Sequence, residues 1–168
     1  GLAFDHPNLA NGLGMSSSPR IASDTAVIPV EHDADSFSFG LDIADGTTVW
    51  KKERTRAANW TSPISMRQNG REIIGLQSKD GLTAIDPANG KNLWTYEEGA
   101  STIPSSTWTE ENIVLVPSNG MTALQIDEEL MTFKKIWRDN KLKPGTGSPT
   151  TTEGKLYVVN NANVLSCA

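Results

Sequence analysis

Short stretches in which apolar and polar residues alternate recur along the chain, and turn-forming residues separate them. The clearest set of four covers 62–66, 72–76, 82–85 and 92–96. Between them stand Asn69-Gly70, Lys79-Asp80-Gly81 and the Pro-Ala-Asn-Gly run at 87–90. Asn-Gly between such stretches is a strong signal for a two-residue hairpin. A period of two is typical of half-buried β-strands, so this region predicts four antiparallel strands.

The same pattern of strands and turns repeats at a nearly fixed interval. Trp50, Trp94 and Trp137 are separated by 44 and 43 residues. A second marker, a Ser-Pro or Ser-Ser step, recurs at similar intervals. Its second residues, Pro19, Pro63, Ser106 and Pro149, are 44, 43 and 43 residues apart. Four antiparallel strands in about 43 residues correspond to one blade of a β-propeller.

The third repeat contains a conflict between two patterns. Ile126, Leu130, Phe133 and Trp137 recur with helical spacing across an acidic stretch. The repeat instead indicates four extra residues in the turn before the last strand. Because the other repeats predict a strand here, we expect Phe133 and Trp137 to lie in a strand that ends near Arg138.

These patterns predict an all-β chain, a segment of a β-propeller built of four-stranded antiparallel blades. We expect a lead-in at 1–15, complete blades at 16–58, 59–101 and 102–145, and a partial blade at 146–168. The chain opens on Gly1 and its last residues resemble the middle of a strand. Both ends are therefore expected to be cuts in a longer chain.

Residues 84–94 read Ala-Ile-Asp-Pro-Ala-Asn-Gly-Lys-Asn-Leu-Trp. This segment resembles the docking motif Ala-x-Asp-x-x-x-Gly-Lys-x-x-Trp of pyrroloquinoline-quinone-type propeller repeats at every defined position. The resemblance assigns structural docking roles to eight residues. They are Asp42, Gly46 and Trp50 in the first unit, Ala84, Asp86, Gly90 and Trp94 in the second, and Trp137 in the third.

The other copies depart from the motif. The first has Gly40 at the alanine position and Thr47 at the lysine position. In the third, Ala123 is present but Gln125 replaces the aspartate and the turn glycine is lost, and the fourth stops before its aspartate and tryptophan. The resemblance spans about residues 16–168.

The motif has a physical logic. Its glycine takes a positive φ in the turn into the outer strand, and its aspartate accepts bonds from the turn amides. Its tryptophan can stack between neighbouring blades while the indole N–H donates to a carbonyl across the joint. Propellers of this family usually have eight blades, about 344 residues at about 43 each, so the chain would supply about half a ring.

The resemblance implies two kinds of protein: quinone-dependent dehydrogenases and non-enzymatic scaffolds. The enzymes need Ca²⁺ ligands at the propeller centre and often a pair of adjacent cysteines. This chain has a single cysteine, Cys167, which we expect to be a small buried strand residue. We therefore favour a non-enzymatic scaffold or binding module with no catalytic residue and no cofactor of its own. A dehydrogenase fragment and a small-ligand sensor stay open, with pyrroloquinoline quinone and Ca²⁺ belonging to the longer protein.

Charge and hydropathy restrict the partners. Fifteen basic against twenty acidic residues give a net charge of −5, which repels phosphate backbones and argues against nucleic acid. No apolar run is long enough to span a membrane. Protein partners are expected, and exposed blade edges predict self-association. The resemblance places such proteins in the periplasm or elsewhere outside the cytoplasm.

Few residues are candidates for chemistry or binding. His32, Asp33 and Asp35 form the most metal-like cluster, but we favour a solvated loop and expect no metal site there. A basic run at 51–56 could meet an acidic partner or solvate an outer strand, and Asn59-Trp60-Thr61 fits a glycosylation pattern. Trp60 and Trp108 lie near the marker steps and are the candidates for a binding surface.

Overall fold

The computed structural model describes residues 16–168, so the predicted lead-in at 1–15 lies outside the described residues. Fifteen strands form four antiparallel sheets in which strand order follows chain order. The first sheet is β1 Arg20–Ala22, β2 Thr25–Val30, β3 Phe37–Asp42 and β4 Thr48–Glu53; the second is β5 Ile64–Gln68, β6 Arg71–Ser78, β7 Gly81–Ile85 and β8 Asn92–Tyr96. The third is β9 Thr107–Trp108, β10 Ile113–Ser118, β11 Gly120–Asp127 and β12 Thr132–Asp139; the fourth is β13 Thr150–Thr152, β14 Lys155–Val159 and β15 Leu165–Cys167.

The sheets are arranged side by side as blades of a partial propeller. Their first strands contact one another in succession, β1 with β5, β5 with β9 and β9 with β13, and so form the inner wall of an arc. The all-β prediction is confirmed, since the described part of the chain contains no helix. Of the residues with helical spacing, Phe133 and Trp137 lie in the strand β12, which ends at Asp139, as the repeat predicted.

Each joint between sheets holds an apolar core that comes from the strand alternation. The first joint buries Val27 and Trp50 of the first sheet against Ile74, Leu76 and Ile85 of the second. The second joint contains a larger core from both sheets, and the third buries Leu115 and Ala123 against Leu156 and Val158. Since successive strand residues point to opposite faces, one strand contributes to the joint before it and the joint after it.

Candidate functional site

At the first joint, Trp50 docks on the turn that connects β7 and β8. Its Nε1 donates to the carbonyl of Pro87 at 2.7 Å, and its side chain is nearly buried. Gly90 has a φ of +70° and lies so close to the indole that a Cβ there would be 2.8 Å from Trp50 Cδ2. Asp86 shapes the turn by accepting the N–H of Ala88 at 2.9 Å. The turn therefore forms a flat seat for the indole.

Gly40 is explained by the position of the same indole. A Cβ on Gly40 would lie 2.8 Å from Trp50 Cδ1 and closer still to Cε2 and Nε1. Gly40 pairs with Trp50 across β3 and β4, next to an irregularity in the register. The departure from alanine therefore makes room for Trp50.

At the second joint, the indole of Trp94 is linked to the next sheet through the side chain of Gln68. Its Nε1 donates to Oε1 of Gln68 at 3.1 Å, within its own sheet. Gln68 is fully buried, and its Nε2 donates to the carbonyl of Asp127 at 2.7 Å in the next sheet. Phe133 packs against Trp94 with ring centroids 5.1 Å apart. A glutamine side chain thus replaces the direct indole-to-carbonyl bond expected from the motif.

The third sheet has a docking turn, which begins two residues later in the chain than the motif predicts. Asp127 Oδ1 accepts the N–H groups of Glu129 and Leu130 at 3.0 and 2.9 Å. Met131 has a φ of +51° and occupies the place of the turn glycine, four residues after the aspartate. The motif glycine is absent, as the sequence indicated, and the longer hairpin of β11 and β12 places the turn farther along the chain.

At the third joint, Trp137 is 38% exposed, against 8% and 7% for Trp50 and Trp94, because at the repeat spacing the turn that would cover it falls after residue 168. It lines a groove of about 1040 Å³ between the third and fourth sheets, together with Trp108. We call this space the third-joint groove. Its apolar floor comes from Ile113, Leu115, Leu142 and Leu156, and its charged residues are Glu110, Glu111, Arg138, Asp139, Glu153 and Lys155.

The marker serines form a hydrogen-bonded ladder around the inner wall. The N–H of Ser18 donates to Oγ of Ser62, that of Ser62 to Oγ of Ser105, and that of Ser105 to Oγ of Ser148, each at 2.9 Å. In the sequence, the Ser-Pro steps indicate only the length of the repeat. The structure gives their serines the same task in each blade, which is to bond the start of one blade to the next.

A buried ion pair stabilises the connector between the first two sheets, and sequence reasoning missed it. Arg54 Nε lies 2.7 Å from Glu31 Oε1, with side chains 7% and 2% exposed. Arg54 Nη2 donates to the carbonyls of Leu76 and Gln77 in the second sheet. Because neither residue recurs in the other repeats, no periodic signal pointed to them.

Asn59 extends this network and is buried. Its Nδ2 donates to Glu31 Oε2 and to the carbonyl of Gln77, both at 2.7 Å, and its Oδ1 accepts the hydroxyl of Thr61 at 3.0 Å. The side-chain amide of the glycosylation pattern is thus occupied inside the folded chain. The Gln77 side chain continues the network to the third sheet by donating to the Pro104 carbonyl at 2.9 Å.

The metal-like cluster is divided among separate contacts. His32 is buried and its Nδ1 accepts the N–H of Ala34; Asp33 accepts the N–H of Ala58; Asp35 pairs with Arg56 at 3.1 Å on the surface. Residues 16–168 contain no group of three His, Cys, Asp or Glu placed to hold a metal ion.

The basic run at 51–56 does not form one charged patch. Lys51 Nζ lies 4.2 Å from the ring centroid of Phe37, and Lys52 donates to the carbonyl of Gly90 at 3.3 Å. Burial, with a smaller contribution from Arg54, lowers the pKa of Lys52. Each of these cations therefore has a local structural partner.

The two candidate binding tryptophans occupy different places. Trp60 lies in the connector between the first two sheets, half-buried, with its backbone N–H donating to the carbonyl of Thr102 at 2.8 Å. Trp108 lies in β9 and borders the third-joint groove. Cys167 was expected to be buried but is exposed, at the end of β15. Among the described residues, no helix is long and apolar enough to cross a membrane.

Solved structures share this architecture. BamB from Moraxella catarrhalis matches with a TM-score of 0.68 and 19% identity over 89% of this chain and 43% of its own length. The computationally designed Ika4 protein matches with a TM-score of 0.65 and 14% identity over 93% of both chains. A europium-containing methanol dehydrogenase matches with a TM-score of 0.53 and 18% identity over 74% of this chain and 24% of its own. At these identities the likeness shows the fold alone.

The family comparison is more direct. No curated protein sequence matches the chain. The chain spans less than half the length of the Moraxella catarrhalis protein. The model of the family described as outer membrane protein assembly factor BamB matches residues 12–105, which is more than half of the chain. The chain therefore belongs to this family of propeller repeat proteins of the pyrroloquinoline-quinone type.

Proposed function

We propose that the chain is part of a non-enzymatic scaffold that binds protein partners outside the cytoplasm, as the family description of an outer membrane assembly factor suggests. The observation that carries the proposal is the match of the family model over residues 12–105. The third-joint groove, which Trp108 and Trp137 border beside a fourth sheet of three strands, is the surface that we propose for the partner. Large aromatic side chains at an open groove are typical anchors of protein interfaces.

The charges of the groove favour one kind of partner. Four carboxylates border it against two cations, Arg138 and Lys155. Arg138 is already engaged, since it donates to Thr122 Oγ1 at 3.2 Å and to Asn140 Oδ1 at 3.1 Å. The groove thus presents an apolar floor with an acidic border. We propose that it binds an apolar segment of a partner protein flanked by lysine or arginine.

Two labelled peptides test this binding by fluorescence anisotropy: one with alternating leucine and lysine, and one with glutamate in place of lysine. The lysine peptide should bind, and added salt should weaken the binding. Trp137→Ala should reduce the affinity about tenfold or more. Val49→Ala, which changes an exposed apolar residue of the first sheet, is the matched control and should leave it unchanged. Equal binding of both peptides, or no effect of Trp137→Ala, would overturn the proposal.

The same groove must be open in the longer protein. Acrylamide quenching of tryptophan fluorescence tests this by comparing the full chain with its Trp137→Phe variant. An accessible Trp137 gives a quenchable component that the variant lacks. If the full chain and the variant quench alike, other parts of the protein cover the groove and the proposal fails.

A dehydrogenase fragment and a small-ligand sensor are the competing functions. Titration with pyrroloquinoline quinone and Ca²⁺ separates the first of them from a scaffold, because a bound quinone changes its absorbance and raises the melting temperature of the protein. The scaffold proposal predicts no response at high micromolar cofactor. A saturable response would contradict the scaffold proposal and favour a dehydrogenase fragment.

We also propose that this chain self-associates through its exposed blade edges. Within residues 16–168, β15 pairs only with β14, and Val164 and Leu165 are 53% and 62% exposed. An apolar edge strand with unpaired backbone groups is a template for pairing with another chain. Light scattering at high concentration should give a mass above that of a monomer. A strictly monomeric mass would contradict this proposal.

A further inference from the structure

The chain contains four Asn-Gly steps. Asn11-Gly12 lies outside the described residues, and the other three are Asn69-Gly70, Asn89-Gly90 and Asn119-Gly120. Asn-Gly can deamidate without an enzyme. The backbone nitrogen of the glycine attacks the side-chain carbonyl carbon of the asparagine, ammonia leaves, and a cyclic succinimide forms. Water then opens the ring to aspartate or to isoaspartate, in which the main chain runs through the side-chain carbon. The reaction needs a free glycine N–H and a mobile asparagine side chain.

Asn69-Gly70 meets both needs. The two residues form the turn between β5 and β6, beyond the last pair Gln68 and Arg71, with φ values of +50° and +71°. Both are exposed, and the space beside Gly70 is open within 4 Å. Within residues 16–168, the Asn69 side chain and the Gly70 N–H take no hydrogen-bond partner.

The step at Asn89-Gly90 is held in the docking turn. The Gly90 N–H donates to the carbonyl of Asp86 at 2.8 Å. Asn89 Nδ2 donates to Asp86 Oδ2 at 2.8 Å, and Asn89 Oδ1 accepts the N–H of Lys91 at 2.9 Å. Trp50 also packs on Gly90. Attack at this step therefore requires the turn to open first.

The step at Asn119-Gly120 is restricted through its glycine. Gly120 is buried at the start of β11, and a Cβ there would meet the Asp139 carbonyl of β12 at 2.5 Å. The carbonyl of Asn119 accepts Arg138 Nη2 at 3.5 Å. Its backbone is thus packed against β12, whereas that of Gly70 faces open space.

We propose that Asn69 is a site of spontaneous deamidation, and that isoaspartate at this position loosens the joint between the second and third sheets. The preceding residue, Gln68, receives the indole N–H of Trp94 and donates to the Asp127 carbonyl. Isoaspartate adds an atom to the backbone of a two-residue turn, which such a tight turn does not accommodate. The change therefore displaces Gln68 and weakens both of its bonds.

Incubation of the folded chain in mildly alkaline buffer, followed by peptide mapping, measures the reaction as a one-dalton mass gain. Opening three hydrogen bonds at about fivefold each predicts that Asn69 reacts about 100-fold faster than Asn89. In strong denaturant Asn69, Asn89 and Asn119 should react at similar rates. Equal rates at Asn69 and Asn89 in the folded chain, or no reaction at Asn69, would overturn the site.

The effect on the joint is tested separately. The aged chain should melt at a lower temperature than the fresh chain, in proportion to its isoaspartate content. Asn69→Asp carries the new charge without the longer backbone, and it should melt like the fresh chain. If Asn69→Asp accounts for the whole loss, or if the aged chain melts unchanged, the proposed loosening through Gln68 is wrong.

Discussion

Replacement of Gly40 by alanine restores the motif residue, yet we expect it to destabilise the chain. Gly40 lies in the strand β3 and outside the positive-φ region, so its backbone conformation is open to alanine. Alanine in a strand is favoured over glycine by about 0.5–1 kcal/mol. On repeat statistics alone, Gly40→Ala should therefore stabilise the fold.

The indole of Trp50 reverses this expectation. The new Cβ would overlap the indole, which cannot move away freely because Nε1 is bonded to Pro87 and the ring packs on Gly90. Overpacking of a buried site costs about 1–3 kcal/mol, and loss of the indole bond costs about 1 kcal/mol more. After the gain from alanine is subtracted, we expect a net destabilisation of about 1–3 kcal/mol, or roughly 2–4 °C in melting temperature per kcal/mol.

Urea denaturation followed by circular dichroism measures the change in the free energy of unfolding. Ala84→Gly in the second sheet is the matched substitution. If the motif alone governed stability, the two exchanges would have opposite signs. If the indole position governs it, both destabilise. Combination of Gly40→Ala with Trp50→Phe should show coupling above about 0.5 kcal/mol, because the two side chains touch. A stabilising Gly40→Ala, additive with Trp50→Phe, would refute the reasoning.

Four further substitutions test the joints and the turns beside them, each by urea denaturation. Trp50→Ala should lower the free energy of unfolding by about 3–5 kcal/mol. Trp137→Ala should lower it by about 1 kcal/mol or less, because Trp137 is 38% exposed. Similar losses for the two variants would contradict the assignment of an open third joint. Glu31→Gln should cost about 3 kcal/mol because it leaves the buried charge of Arg54 uncompensated, and a neutral result would show that water reaches this pair. Met131→Gly should stabilise the chain by up to about 1 kcal/mol by relieving its positive φ, and a loss of stability would argue against the docking turn placed there.

The sequence by itself determined the class of fold and the repeat. Apolar alternation and turn residues are local signals, since each strand must cover one face and each tight turn needs particular residues. The spacing of Trp50, Trp94 and Trp137 supplied the period, and the all-β prediction held even across the helical spacing before Trp137.

The tertiary structure decided how each joint closes. Trp50 bonds a carbonyl directly and Trp94 acts through Gln68, although the motif treats the two alike. The buried pair of Glu31 and Arg54 lies outside the repeat and left no periodic trace. Such contacts join residues far apart in the chain across two sheets, so they depend on how neighbouring blades are placed and no local pattern encodes them.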